Sequence, residues 1–254
     1  VLGCAEILPR HFRVLKRLAE YGFFKAGGVL IGTHAFVAYG NMLGVRWGTA
    51  DAARTQDIDF AHAGKSISLA LAPHCQVQPH EAIQSLEMGF LPISGLAGKT
   101  GGAYLIPREK EFRLDFLTTV GRSGETPYEH PDLHVTLQPL RFMEYSLENV
   151  QQTVLLSGAD AVIVNLPHPA RYALHKLIVA GEREGAFQAK TGKDFVQAGL
   201  LLSVLRENRP WEVEEAWKNL EGRGKGWRSR AMRGLQALDR QFPDEGFSAW
   251  LAPA

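Results

Sequence analysis

Between residues 11 and 21, Phe12, Leu15, Leu18 and Ala19 recur at helical spacing with Arg13, Lys16 and Arg17 between them, which predicts an amphipathic helix ended by Gly22. Gly27-Gly28 opens an apolar strand, Val29-Leu30-Ile31, that runs into Gly32-Thr33. Thr33 is placed to cap a helix over 34–43 that packs through Phe36, Val37 and Tyr39. Residues 44–54 read as a loop. In the next run, 55–60, the side chains alternate, so Ile58 and Phe60 turn inward while Asp57 and Asp59 share the other face.

Short helices are expected over 66–71 and 79–88, the second with Ala82, Ile83 and Leu86 inward. A turn at 88–92 leads to a short strand, 98–102 is a loop, and 103–106 forms a hairpin with 111–118. In that last strand Phe112, Leu114 and Phe116 alternate with Arg113 and Asp115. The Gly- and Pro-containing stretch 121–131 reads as a flexible connection. A second hairpin joins 152–156 to 161–165 about a turn at 157–160. Pro167 and Pro169 start a helix that continues over 171–184, and further helices are expected at 193–206, 212–220 and 227–238. The expected fold class is α+β: a mixed, antiparallel-rich sheet with flanking helices over residues 1–165, then a helical C-terminal part, 166–254.

Composition narrows the function classes. A chain of 254 residues with a formal charge of +1 has an ordinary globular make-up, so attraction to nucleic acid has to come from a local patch. Two cysteines, Cys4 and Cys75, form neither a disulfide framework nor a zinc motif and point to a reducing compartment. No run approaches the roughly 18 apolar residues of a membrane span, and no signal peptide is visible. A cytoplasmic protein without membrane contact is expected.

The chemistry concentrates in two stretches. Asp57 and Asp59, side by side on one strand face, repel each other unless a cation lies between them, and hard divalent ions accept carboxylate oxygens together with substrate phosphates. Ahead of them, a helix start at Gly32-Thr33 offers backbone N–H groups to a phosphate. If the strand carrying Asp115 pairs beside the strand carrying Asp57 and Asp59, a third carboxylate joins the site.

These elements resemble the three-carboxylate signature of the polymerase-beta-like nucleotidyltransferase superfamily: strand, Gly32-Thr33 and helix, then Asp57-Ile58-Asp59, then Leu114-Asp115-Phe116. The segment 167–178 together with 193–198 is similar to bacterial nucleotidyltransferase-fold proteins distantly related to the toxin nucleotidyltransferases of abortive-infection systems. The resemblance implies the nucleotidyltransferase fold and transfer of a nucleoside monophosphate from a nucleoside triphosphate, ATP among them, to a hydroxyl on RNA such as a tRNA, on a protein or on a small molecule, with pyrophosphate leaving. It also implies Mg2+ or Mn2+ held by Asp57, Asp59 and Asp115, with Asp115 activating the acceptor. Gly32 and Thr33 would hold the terminal phosphates, and Lys176 and Lys193 would neutralise triphosphate charge. A toxin-type enzyme would carry an antitoxin partner. Two departures stand out: Gly32-Thr33 replaces the usual Gly-Gly or Gly-Ser, and the long gap before Asp57 makes 44–54 an insertion at the mouth of the site.

Plainer readings stand beside each assignment. Asp115 can simply pair with Arg113 or Arg108 on an exposed face, Lys176 can snorkel from a core helix, and Lys193-Asp194 can be a solvated helix start. The basic run 222–233, with Arg223, Lys225, Arg228, Arg230, Arg233 and Trp227, suits either an RNA backbone or a solvated helix face. A second functional class is a nucleotide-binding or interaction module on the same fold without the chemistry.

Overall fold

His11, Phe12, Val14, Leu15 and Leu18 bury one stripe of the first helix, α1 (Pro9–Glu20), as its spacing predicts. The structure is a computed structural model that describes residues 4–48, 50–63, 77–94, 100–120, 124, 126–182 and 188–253. The helix expected at 66–71 lies outside the described residues. The chain divides into two compact units, 1–167 and 168–254.

In the first unit a short strand, β1 (Val29–Leu30), leads into α2 (Gly32–Leu43). The helix starts two residues earlier than Thr33 capping would require. Gly32 adopts φ +64, a left-handed turn that swings the chain directly into the helix, and the capping position is Ile31, which makes no side-chain capping bond. The expected loop 44–54 contains a short helix, α3 (Ala50–Ala53), and its beginning is strapped to α2. Val45 N–H donates to Gly40 O at 2.9 Å. The Trp47 indole N–H donates to Phe36 O at 2.8 Å and its ring stacks on Phe36 with centroids 4.4 Å apart.

The carboxylate strand, β2 (Ile58–His62), begins and ends later than the alternation suggests. At its start the Thr55 hydroxyl bonds to the Asp57 carboxylate, a local side-chain contact that competes with extended pairing. At its end His62 is buried, its Nε2 2.9 Å from Ala26 O. Then come α4 (Pro79–Gln84), β3 (Leu91–Ser94), β4 (Thr100–Ile106) and β5 (Glu109–Thr119). Ala82, Ile83 and Leu86 are buried as expected. Strand β4 starts inside the expected loop 98–102. The stretch read as a flexible connection holds β6 (Tyr128–His130) among its described residues, and β7 (Val135–Leu140) and α5 (Met143–Leu147) follow. The second hairpin is β8 (Val150–Ser157) with β9 (Asp160–Pro167), so Pro167 closes a strand and Pro169 alone begins the next helix.

Among the described residues the main sheet runs β1-β2-β5-β4-β3, with β7 also on β5 and β6 on β7. Strands β2 and β5 are parallel; β1–β2, β4–β5 and β3–β4 are antiparallel. The mixed, antiparallel-rich sheet with flanking helices and a helical C-terminal part is the α+β architecture expected.

The two faces of the sheet are treated differently. On one, Phe23, Phe60 and Phe116 meet with ring centroids 5.1 to 5.7 Å apart, and Leu114 and Phe112 join them in the core. Among the described residues, the other face is covered toward the far ends of the strands, where Val29, Ile31, Ala61, Ala63, Met143 and Leu147 cluster with Leu117 packed against them. The near end, at Asp59 and Asp115, stays partly exposed.

The second unit contains α6 (Pro169–Glu182), α7 (Gln188–Asn208), α8 (Pro210–Glu221), α9 (Lys225–Gln241) and α10 (Phe247–Leu251). Helices α6 and α9 cross so closely that a Cβ on Gly234 would lie 2.3 Å from Leu177 O.

Candidate active site

The register of β2 on β5 decides the site. Ile58 faces Leu114, Asp59 faces Asp115 and Phe60 faces Phe116. Strand neighbours lie roughly 4.8 Å apart and paired residues of parallel strands share a face, so Asp59 and Asp115 project together from the face opposite the phenylalanines. Asp57 lies one residue before β2. On the other flank of Asp115 the facing residue is the small Ala103 of β4.

Gly32 closes the site from a third direction. A Cβ built there would lie 2.1 Å from Asp59 Oδ2, so only glycine lets the carboxylate sit against the first turn of α2. A helix N-terminus stabilises an anion through its dipole. Ile31 N–H donates to Asp59 O at 3.0 Å, which fixes the same junction through the backbone. Thr33, the next helical residue, is buried.

The carboxylates are engaged locally. Arg113 Nε and Nη2 both lie 2.6 Å from Asp115 Oδ1, with Asp115 18% and Arg113 47% exposed. Asp57 is bonded to the Thr55 hydroxyl. Among the described residues no group of three His, Cys, Asp or Glu side chains is gathered tightly enough to hold a metal ion. The donor chemistry nevertheless suits a hard divalent cation, being all carboxylate oxygen on one partly open sheet face.

Two buried histidines that sequence reasoning passed over stand nearby. His11 Nδ1 and His34 Nε2 are 2.9 Å apart, joining α1 to the first turn of α2. Burial lowers the pKa of His11, the Arg10 guanidinium lowers it further, and the Asp57 carboxylate opposes both. The clue was positional: His34 directly follows Gly32-Thr33, but its partner comes from a helix remote in sequence.

The lysines belong to the second unit. Lys176 Nζ lies 2.5 Å from Asp194 Oδ1, is 12% exposed and stands over the Tyr172 ring at 5.0 Å. Lys193 lies on α7. The basic run is tied largely within its own unit: Arg228 pairs with Glu221 at 3.2 Å, Arg230 with Glu182, and Arg223 stands over Trp227 at 5.2 Å.

The family described as Nucleotidyltransferase matches residues 10–221. The chain belongs to this family. The match takes in the β1–α2 junction, both carboxylate strands and the helices through α8 of this nucleotidyltransferase-family chain. A solved structure of an antigenic nucleotidyltransferase-like protein from Paracoccidioides brasiliensis is similar at 15% identity, over 97% of this chain and 94% of that one, with a TM-score of 0.45. That likeness is too loose to assign anything here. Comparison with curated proteins gives no match. No helix among the described residues is long and apolar enough to cross a membrane.

Proposed function

We propose that the open face at Asp57, Asp59 and Asp115 carries out metal-dependent nucleotidyl transfer, moving a nucleoside monophosphate from a triphosphate to an acceptor hydroxyl. The observation that carries this reading is the pairing of Asp59 with Asp115 on adjacent parallel strands, with Gly32 bare against Asp59. Family membership supplies the nucleotide substrate in general terms. Asp57 and Asp59 would hold Mg2+ or Mn2+ with Asp115, and such an ion supplies charge stabilisation to the attacking and leaving oxygens of an in-line displacement.

The chain's own groups have separable tasks. The first turn of α2, at Gly32 and Thr33, presents N–H groups for the terminal phosphates. Asp115 accepts the proton of the acceptor hydroxyl in this reading.

The test incubates the protein with each α-labelled triphosphate, Mg2+ or Mn2+, and tRNA, protein or small-molecule acceptors, reading label transfer and pyrophosphate. Asp57→Ala and Asp59→Ala should each lower transfer by about 100-fold or more, the scale on which one preorganised charge-stabilising group acts. Undiminished transfer in both variants removes the site. A toxin-type role, with an antitoxin partner, adds a cellular expectation: expression of the wild type arrests growth and Asp59→Ala does not.

One observation favours a second reading. Arg113 pairs with Asp115, as a nucleotide-binding module that had lost its chemistry would allow. Calorimetry giving triphosphate binding with no metal dependence and no turnover selects that module.

A further inference from the structure

Asp59 and Asp115 face each other on adjacent strands of one sheet face. Arg113 is fixed beside this pair by β5 itself. It stands two residues before Asp115, so strand alternation puts both on the same side, while Phe112, Leu114 and Phe116 are buried behind them. Its fork is committed to a single oxygen, Asp115 Oδ1, through Nε and Nη2 at 2.6 Å each. Nearly half of the arginine is exposed, so its aliphatic stem is free to swing without disturbing the core.

Resting on the carboxylate site proposed above, we infer that Arg113 is a built-in counter-ion that holds Asp115 until a divalent cation arrives, then turns to bind a substrate phosphate. Charge favours an exchange of this kind: a guanidinium and a divalent ion on one carboxylate repel one another, so the ion binds Asp115 more strongly as Arg113 leaves it. Released at the edge of the same face, the planar fork matches a phosphate as well as it matched the carboxylate. Asp115 thereby becomes available when nucleotide and metal are both present, and metal alone binds weakly. Arg113 is therefore a positioning residue for Asp115 and a binding residue for the triphosphate.

The exchange predicts two affinities that move in opposite directions. In Arg113→Gln, Mn2+ alone, followed by electron paramagnetic resonance of free ion, should bind about tenfold tighter than to wild type, because the competing cation is gone. A non-hydrolysable triphosphate with Mg2+ should bind about tenfold more weakly, because a charge-assisted phosphate contact is lost. Arg113→Lys, which keeps the charge and loses the fork, should recover part of the metal competition and little of the triphosphate affinity. Mn2+ affinity unchanged or weakened in Arg113→Gln overturns the inference, since a merely structural arginine would lower both affinities together or neither. Mn2+ bound equally by wild type and Asp59→Ala overturns the site itself, and the inference with it.

Discussion

Gly32 is where backbone geometry and chemistry meet in one residue. Its φ of +64 costs an L side chain about 1–2 kcal/mol, and a methyl group there would also collide with Asp59 Oδ2. Gly32→Ala should therefore lower stability by about 2 kcal/mol or more, seen as a reduced urea midpoint with an unchanged slope. It should also weaken triphosphate binding, because Asp59 must move. A midpoint equal to wild type would mean that the junction tolerates a side chain and that the packing described is not what selects glycine. The alternation that turns Ile58 and Phe60 inward and leaves Asp59 on the other face was legible in the sequence alone. The contact of Gly32 with Asp59 was not, because it depends on how the first turn of α2 lands on a strand reached only after a long insertion. Thr33 shows the opposite error: its hydroxyl suited a cap, but the left-handed glycine had already turned the chain.

At the scale of elements, β9 seats the start of the site. Asn165, buried, donates through Nδ2 to Phe24 O at 2.6 Å and Gly28 O at 2.8 Å, tying the strand to the turn that enters β1. Asn165→Ala leaves two backbone carbonyls without that donor, a loss of about 2–3 kcal/mol to be read by chemical denaturation. Asn165→Asp should be worse at neutral pH, since it turns a carboxylate toward two carbonyl oxygens. If both variants match wild type, β1 is held by its pairing with β2 alone. The hairpin that carries Asn165 was readable because long apolar runs flank Gly158, which takes φ +57 at the turn. Strands β6 and β7 and helices α5 and α10 were not, being too short to show a period of their own. Strand β7 also carries Pro139, which argues against a strand on local grounds, yet it pairs with β5 through residues 138–140. Tertiary pairing made these elements, and a single sequence carries little local trace of it.

For the molecule as a whole, the expected pH dependence of stability comes from histidines buried in both units. Burial is the leading cause that lowers the pKa of His11 and His62 in the first unit and of His168 in the second. As pH falls below about 6.5, the ordinary imidazole value, the unfolded chain takes up protons that the folded chain refuses. The unfolded state then binds more protons, so stability falls with falling pH and levels off once the lowered folded values are passed. The shifted carboxylates act elsewhere. Glu109 and Asp160 are lowered by hydrogen bonds to Arg10 and Lys16, so their contribution is present at neutral pH and is lost only as pH falls through the carboxylate range. The window from about 6.5 to about 5 therefore belongs to the histidines. Urea midpoints measured at pH 7.5, 6.5 and 5.5 should decline across that window. His62→Gln, which keeps a donor for Ala26 O and cannot titrate, should decline less steeply. A midpoint flat between pH 7.5 and 5.5 in the wild type, or an equal slope in His62→Gln, would mean that these imidazoles are hydrated in solution and that the packing around His62 opens without unfolding.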